Sequence, residues 1–510
     1  MTNLPLLSML ILLPLLGAIV TGFSGNKDRA RKIAAFIASI ELLGSLLVLH
    51  GFNPDDGQFQ LLEHHAWIPS INVEYLLGID GISVLFLPMS ALITLMAIVA
   101  SWNSIQHLAP FHYALLLALE GITVGVFTAL DMALFFLFWE LTLPPIFFLI
   151  GLWGVGAQRR MAAVKYTFYM LFGGAALLIA IVILATNTIP PADGIGTKLV
   201  FSLPTLLANP LPDELQGTVF LLLLLAFAVK TPLLPFHTWM PTATMEGSPQ
   251  VAALLTGLKL GAFGIIRFTM PLAPSAAVEY SWILGVVGAV TLIYGALIAL
   301  YQTNLRRLLA YASISHVGLV IVGIAALNMQ GIQGAIFQLF NFTIVASSLM
   351  LIAGFIQHRL GSTESVHLGG LAKVMPKLTC FYFIFTLASI AVPGTSGFPA
   401  ELLLIISALV AHPSLGIAAL AAAILAAAYM LDFTRKSFFG PIIHQTVRQC
   451  QDLRRRELLL LCVPALLVLV FGFFPNLILH TYEKTADAWL SRILEQPIKS
   501  DEIAGMDLSE

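Results

Sequence analysis

What most constrains this chain is the recurrence, from end to end, of apolar runs long enough to cross a bilayer. A membrane-spanning helix needs roughly 20 apolar residues. That rule predicts fourteen spans, at approximately 4–23, 31–51, 78–101, 112–130, 132–152, 162–186, 217–242, 249–271, 279–301, 305–326, 331–357, 374–411, 414–437 and 457–480. No water-soluble core hides so much apolar sequence. Of 510 residues 58% are hydrophobic and only 10% charged, against roughly 45–50% and 25% in a soluble domain. Mean hydropathy is +0.92. The fold class predicted is all-α integral membrane. The first run, Leu4 to Phe23, has no charged region before it and no clear small-residue cleavage site after it, so it reads as a span and not a removed signal.

Two spans are abnormal. The seventh contains Pro232 and Pro235 just after Lys230, and the twelfth is cut by Val392-Pro393-Gly394-Thr395-Ser396-Gly397. Proline removes a backbone donor and blocks the preceding turn. Broken helices persist in a membrane only where protein or water satisfies the freed groups, and transporters place them at ion sites, in matching positions of two repeats. The two breaks lie five spans apart. They predict two five-helix repeats, spans 4–8 and 9–13, inverted because five is odd. The chain then divides into 1–111 (spans 1–3), 112–271 (first repeat), 279–437 (second repeat) and 457–510 (span 14 and tail).

Orientation follows from lysine and arginine. One set of loops carries Lys27, Arg29, Arg31, Lys32, Arg159, Arg160, Arg306, Arg307, Arg359, Lys373, Lys377, Arg435, Lys436, Arg448, Arg454, Arg455 and Arg456. The opposite set carries little beyond Lys198, Lys484, Arg492 and Lys499. Both termini and the acidic 52–77 loop are therefore expected on the non-cytoplasmic side of a multi-pass protein, in a bacterial inner or thylakoid membrane.

An ionisable group at the centre of a span costs about 2.5–3.5 kcal/mol on insertion scales, so each is a functional hypothesis. Glu140 lies mid-span 5, Lys230 ends an apolar run in span 7, and Lys259 sits mid-span 8 between Gly257 and Gly261. His316 lies inside span 10, and Glu401 opens the second half of span 12. Water-linked groups of this kind relay protons, each titrating as its neighbour's charge changes. Each also has a bland reading. Glu140 and Lys230 would serve equally as a static ion pair, and Lys259 as a purely structural group. His316 would serve as a donor to a helix carbonyl, and Glu401 as a charge at a helix N-terminus. Lys165 and His237 are weaker candidates. Lys165, like Arg267, lies near a span end where it would snorkel; His237 follows the break in span 7 as a pathway or capping group. Asp432 reads as interfacial.

Other chemistry is excluded or unsupported. A net charge of −2 argues against a nucleic-acid partner. The three cysteines, Cys380, Cys450 and Cys462, show no CxxC spacing, so no disulfide framework, iron–sulfur or zinc site is expected. His64 and His65 are adjacent in a loop and read as solvated. The chain is expected to bind no cofactor itself.

Several stretches resemble a known family. Asp131-Met132-Ala133-Leu134-Phe135-Phe136-Leu137-Phe138-Trp139-Glu140 resembles the fifth-helix signature of the antiporter-like subunits of respiratory complex I. The run from Phe227 through Lys230, Pro232, Pro235 and His237 to Pro241 resembles their broken seventh helix. Leu308 to Gly318, Val392 to Phe398 and Gly78 to Ser83 match further blocks. The similarity runs over nearly the whole chain and is strongest to the subunit M group of NADH-quinone oxidoreductase, called chain 4 in plastids and cyanobacteria. The resemblance implies that Glu140 and Lys230 are the coupled pair of one half-channel, Lys259 the central relay lysine and Glu401 the terminal acid. It also implies that FMN, iron–sulfur clusters and quinone belong to partner subunits, with other membrane subunits as neighbours. Two departures stand out. Phe342 occupies the position of the family's span 11 histidine, flanked by Asn341 and Thr343. Thr242-Ala243-Thr244-Met245-Glu246 replaces the Asp-Ala-His that follows the seventh helix. These imply a divergent paralogue.

The leading expectation is a proton-translocating subunit of a complex I-like quinone oxidoreductase. The alternatives are a subunit of a multi-subunit sodium/proton antiporter, a complex I variant serving inorganic-carbon uptake, and a structural spacer that has lost transport. The transported ion is then a proton or sodium.

Overall fold

The computed structural model describes residues 4–188 and 199–494; Lys198 and Lys499 of the charge pattern lie outside them. The architecture is helical throughout except for one hairpin. Among the described residues, eleven helices are long and apolar enough to cross a membrane, and two shorter apolar helices, Leu6–Gly22 and Gly397–Ala411, accompany them.

The chain opens with α1 (Leu6–Gly22) and α2 (Lys27–Gly51). Residues 52–77 are not an open acidic loop. β1 (Gln60–Ile68) pairs antiparallel with β2 (Val73–Ile79). Its Glu63 turns inward and accepts from the Leu7 and Ser8 N–H groups, at 2.7 and 3.1 Å, where the unpaired amides of a helix N-terminus favour an acid. His64 remains exposed and pairs with Glu74 at 3.1 Å. Next come α3 (Gly81–Val84), α4 (Phe86–Ala100) and α5 (Ala109–Thr128). The fifth span divides at Thr142 into α6 (Met132–Leu141) and α7 (Leu143–Trp153), beside Pro144 and Pro145, which lack an N–H. α8 (Arg159–Asn187) and the short α9 (Leu203–Ala208) follow.

The break in span 7 falls where the prolines predict it: α10 (Asp213–Lys230) stops at Lys230 and the chain resumes as α11 (Trp239–Glu246). Span 8 departs from the expected single helix. α12 (Pro249–Gly257) and α13 (Leu260–Gly264) are separated at Leu258-Lys259, and a π-helical turn, Ile265–Thr269, leads into α14 (Met270–Leu272) and α15 (Pro274–Glu279). No proline causes this break. Thr343 donates at 3.0 Å to the Gly257 carbonyl that the break releases, so tertiary contacts satisfy what the helix gives up.

The second half comprises α16 (Ser281–Leu300), α17 (Leu305–Ala325), α18 (Met329–Leu360) and the short α19 (Leu371–Val374). The predicted long span 12 is two helices, α20 (Pro376–Ser389) and α21 (Gly397–Ala411), split at the Pro393-Gly394 segment. α22 (Pro413–Ser437), the short α23 (Gln445–Arg448) and α24 (Arg455–Phe473) complete the apolar set. Asp432 near the end of α22 pairs with Arg435 and Lys436, at 2.9 and 2.6 Å, as an interfacial group would. α25 (Asn476–Leu494) is amphipathic and lies against the body. Its Trp489 Nε1–H donates to Ile266 O at 2.7 Å, and its Tyr482 hydroxyl to Gln333 O at 2.9 Å.

α17 and α18 are enclosed by the other helices, whereas α2 and α24 turn wide apolar faces outward. Outward leucine, phenylalanine and valine on those faces match a hydrocarbon solvent.

Candidate functional site

Broken helices bring polar side chains into the middle of the body. Glu140 sits near the end of α6, half-buried, with its carboxylate against α8. A Cβ at Gly174 would meet that carboxylate, which would have to swing aside. Lys230 is the last residue of α10. Its Nζ donates to Thr142 Oγ1 at 2.9 Å and lies 3.8 Å from the Trp139 ring centre. The expected ion pair is not formed: among the described residues Lys230 contacts a hydroxyl, the Trp139 carbonyl at 3.5 Å and an aromatic face, while the Glu140 charge acts on it from farther away. The split of the fifth span explains this, because it exposes Thr142 to the lysine.

Lys259 occupies the break in span 8 and is 8% exposed. Its Nζ donates to Ser313 Oγ of α17 at 2.5 Å. Gly261, on the next turn, abuts Thr231 at the break of span 7, so the two interruptions lie against each other. A cavity of about 30 Å³ is bordered by Lys230 and by Leu258 and Leu260, the neighbours of Lys259.

On the other side of Ser313, one turn along α17, stands His316. Its Nδ1 lies 3.3 Å from Glu401 Oε1 on α21, and its buried Nε2 has no partner among the described residues. Gln338 Nε2 donates to the same Glu401 oxygen at 3.2 Å. Gln338 Oε1 accepts from Asn341 Nδ2 at 3.2 Å, and Asn341 Oδ1 accepts from Ser396 Oγ at 2.7 Å. The Phe342 ring centre is 3.9 Å from that of His316. His316 therefore faces an acid rather than a helix carbonyl. Glu401 belongs to a continuous polar cluster that reaches the break of span 12 through Ser396.

The weaker candidates are placed differently. Lys165 does not snorkel: its Nζ donates to Thr238 O at 2.8 Å and to Thr242 Oγ1 at 3.1 Å, tying α8 to the second half of span 7. His237 is buried with its ring edge-on to Tyr294. Arg267 does not snorkel either. It is buried and donates from Nη1 and Nη2 to the two carboxylate oxygens of Asp80, both at 2.5 Å. Sequence reasoning missed this pair, Ser313 and Gln338, and it passed over the buried acids Glu41 and Glu120, which its own rule for mid-span charges names. Among the described residues no group of His, Cys, Asp and Glu is arranged to hold a metal ion.

Comparison with known proteins agrees with this geometry. Residues 129–426 match the family model described as NADH:quinone oxidoreductase/Mrp antiporter, transmembrane. The chain is 32% identical to NADH-quinone oxidoreductase subunit M of Rickettsia typhi, over 96% of this chain and 99% of that protein. The chain belongs to this family. It is 37% identical to NAD(P)H-quinone oxidoreductase chain 4 1 of Synechococcus sp. strain JA-3-3Ab, over 95% of this chain and 92% of that one. A chain of respiratory complex I from Thermus thermophilus superposes with a TM-score of 0.87 at 28% identity, covering 96% of this chain and all of that one. The matched region starts at the end of α5 and runs into α22, so it contains Glu140, Lys230, Lys259, His316 and Glu401.

Proposed function

We propose that this chain is the proton-translocating membrane subunit of a complex I-like NAD(P)H or ferredoxin:quinone oxidoreductase. Glu140, Lys230, Lys259, His316 and Glu401 form its relay, with Lys165 and His237 supporting the break of span 7. The observation that carries the reading is Lys259. Among the described residues, the ammonium group in the middle of the body hydrogen-bonds only to a neutral hydroxyl, that of Ser313, at a helix break that no proline causes. A purely structural lysine would be matched by an acid, because an unpaired buried charge costs several kcal/mol. A relay lysine has to gain and lose its proton, and a neutral partner permits both states.

The same reading carries the finer architecture: fourteen spans, two inverted repeats over 112–271 and 279–437, flanking units 1–111 and 457–510, and both termini on the non-cytoplasmic side. Matching breaks in spans 7 and 12 support it. FMN, iron–sulfur clusters and quinone would sit in partner subunits. The family description also embraces Mrp antiporters, so a sodium/proton antiporter subunit is the second reading. Proteins that copurify with the tagged chain separate the two.

The decisive variant is Lys259→Ala in the assembled complex. Proton uptake by inverted vesicles, taken per electron delivered to quinone, is expected to fall nearly to zero while the protein still inserts. Wild-type pumping per electron would end the proposal.

A further inference from the structure

An amide side chain on α18 stands where the imidazole and the acid of the second half meet. Gln338 is fully buried, and its Nε2 forms one corner of a triangle of polar atoms. It lies 3.2 Å from Glu401 Oε1 and 3.4 Å from His316 Nδ1, and those two atoms are 3.3 Å apart. The three side chains come from three helices, α18, α21 and α17.

The other end of the amide is held as well. Gln338 Oε1 accepts from Asn341 Nδ2 at 3.2 Å, and Asn341 Oδ1 accepts from Ser396 Oγ at 2.7 Å. A carboxylate only accepts hydrogen bonds, so the end of Gln338 that faces an ionised Glu401 has to be the N–H end. That choice passes through Asn341 to the Ser396 hydroxyl, which can take either role. Gln338, Asn341 and Ser396 are all buried, where an amide oxygen set against a carboxylate would find no water to relieve it. Amides do not titrate near neutral pH. The series therefore orients Gln338 and offers Glu401 no proton, which leaves His316 as the exchanging group in the triangle.

The imidazole is fixed in turn. The Phe342 ring centre lies 3.9 Å from that of His316. His316 Nδ1 faces the triangle, and its Nε2 has no partner among the described residues. Nε2 is thus the ring nitrogen left to take a proton from elsewhere in the relay.

We propose that Gln338 is a positioning residue for proton transfer between His316 and Glu401, its amide donating to whichever of the two atoms lacks a proton. Before transfer, an imidazolium Nδ1–H and a Gln338 N–H both point at the Glu401 Oε1 carboxylate oxygen. The Nδ1–H bond then breaks as an O–H bond forms on Glu401, giving a neutral imidazole and a carboxylic acid. One proton and no electrons move. A Gln338 N–H then faces the bare Nδ1. A donor shared in this way leaves neither state with an orphaned acceptor, which would otherwise favour one state over the other. The proposal rests on the relay reading and adds a residue to its second half.

The test uses the whole complex, purified through this subunit and placed in lipid vesicles. Gln338→Met removes the donor at similar volume and is expected to slow pumping by roughly tenfold or more, the scale of losing an aligned transfer geometry. The slowed step is a proton transfer, so the solvent isotope effect on pumping is expected to rise above the wild-type value. Should that variant fail to assemble, Gln338→Asn keeps an amide that is one methylene too short to reach both atoms. The same slowing and the same rise are expected of it. In a His316→Ala background either change is expected to add little, because groups that act as one unit are not additive. Wild-type pumping in Gln338→Met or Gln338→Asn overturns the proposal, as does slowed pumping with an unchanged isotope effect. An undiminished further loss in the His316→Ala background also overturns it, by making Gln338 a tie between helices. Normal pumping by Lys259→Ala in the same vesicles would instead overturn the relay reading.

Discussion

Replacing Asp80 by asparagine is expected to destabilise the protein by about 3–5 kcal/mol, the cost of leaving one member of a buried pair uncompensated. The geometry isolates that cost. Asp80 caps α3, accepting from the Ile82 and Ser83 N–H groups at 3.1 and 3.0 Å, and asparagine caps a helix about as well as aspartate. What the substitution removes is the charge opposite Arg267, which is 7% exposed and held between the Phe59 and Phe263 rings. The guanidinium is left almost wholly buried, at a small pocket that it shares with Arg492, and it cannot shed its proton. Arg267→Met should be harmful for the mirrored reason. The double variant should recover part of the loss, with a coupling energy of about 1–3 kcal/mol. Unfolding by SDS in mixed micelles, followed by tryptophan fluorescence, suits the measurement because Trp489 bonds to the neighbouring Ile266 carbonyl. Strict additivity in the double-mutant cycle, or an Asp80→Asn variant within about 0.5 kcal/mol of wild type, would refute the argument.

Two further outcomes are expected. His316→Ala should cut pumping by roughly tenfold or more, because its Nδ1 lies 3.3 Å from Glu401 Oε1 and it stands one turn along α17 from Ser313, which accepts from Lys259. Phe342→His in that background should restore part of it, since the Phe342 ring already lies against the His316 position. Vesicle pumping at wild-type rate in His316→Ala would mean the second half-channel is wired otherwise. In thermal denaturation of the purified complex, Thr142→Val with Lys230→Met should show coupling of about 0.5–1.5 kcal/mol, as for a hydrogen bond. Glu140→Gln with Lys230→Met should couple more weakly, because those side chains do not touch. The reverse order would place the carboxylate on the lysine.

Much of this architecture was legible because a bilayer simplifies the code. Apolar length marks a helix, and proline inside it marks a break, so spans 7 and 12 and the residues at their breaks could be read directly. The break in span 8 could not. Gly257 and Gly261 hint at it, but neither glycine forces it. It exists because Thr343 takes the Gly257 carbonyl and Ser313 takes the Lys259 amine, both supplied by helices far along the chain. The Asp80–Arg267 pair was hidden for the same reason, its partners being 187 residues apart. The hairpin at Gln60–Ile79 was missed because its acids suggested solvent, whereas Glu63 turns in to cap α1.

Glu41 and Glu120 are a different kind of omission, since the rule that singled out Lys259 applies equally to an acid in the centre of span 2 or within span 4. Their neglect follows from expecting function only where helices break. A break is needed where the backbone itself must bind an ion or make room for water, as at Lys259. A carboxylic acid that carries a neutral proton needs no such opening. It can sit in an intact helix, in a stripe of alanine and serine, because its protonated form is only a polar group. Intact and broken spans thus suit different parts of one proton path: the intact ones for groups that rest neutral, the broken ones for groups that rest charged. In the second half, Gln338, Asn341 and Ser396 are bonded in series around Glu401, and His316 Nδ1 stands 3.3 Å from Glu401 Oε1.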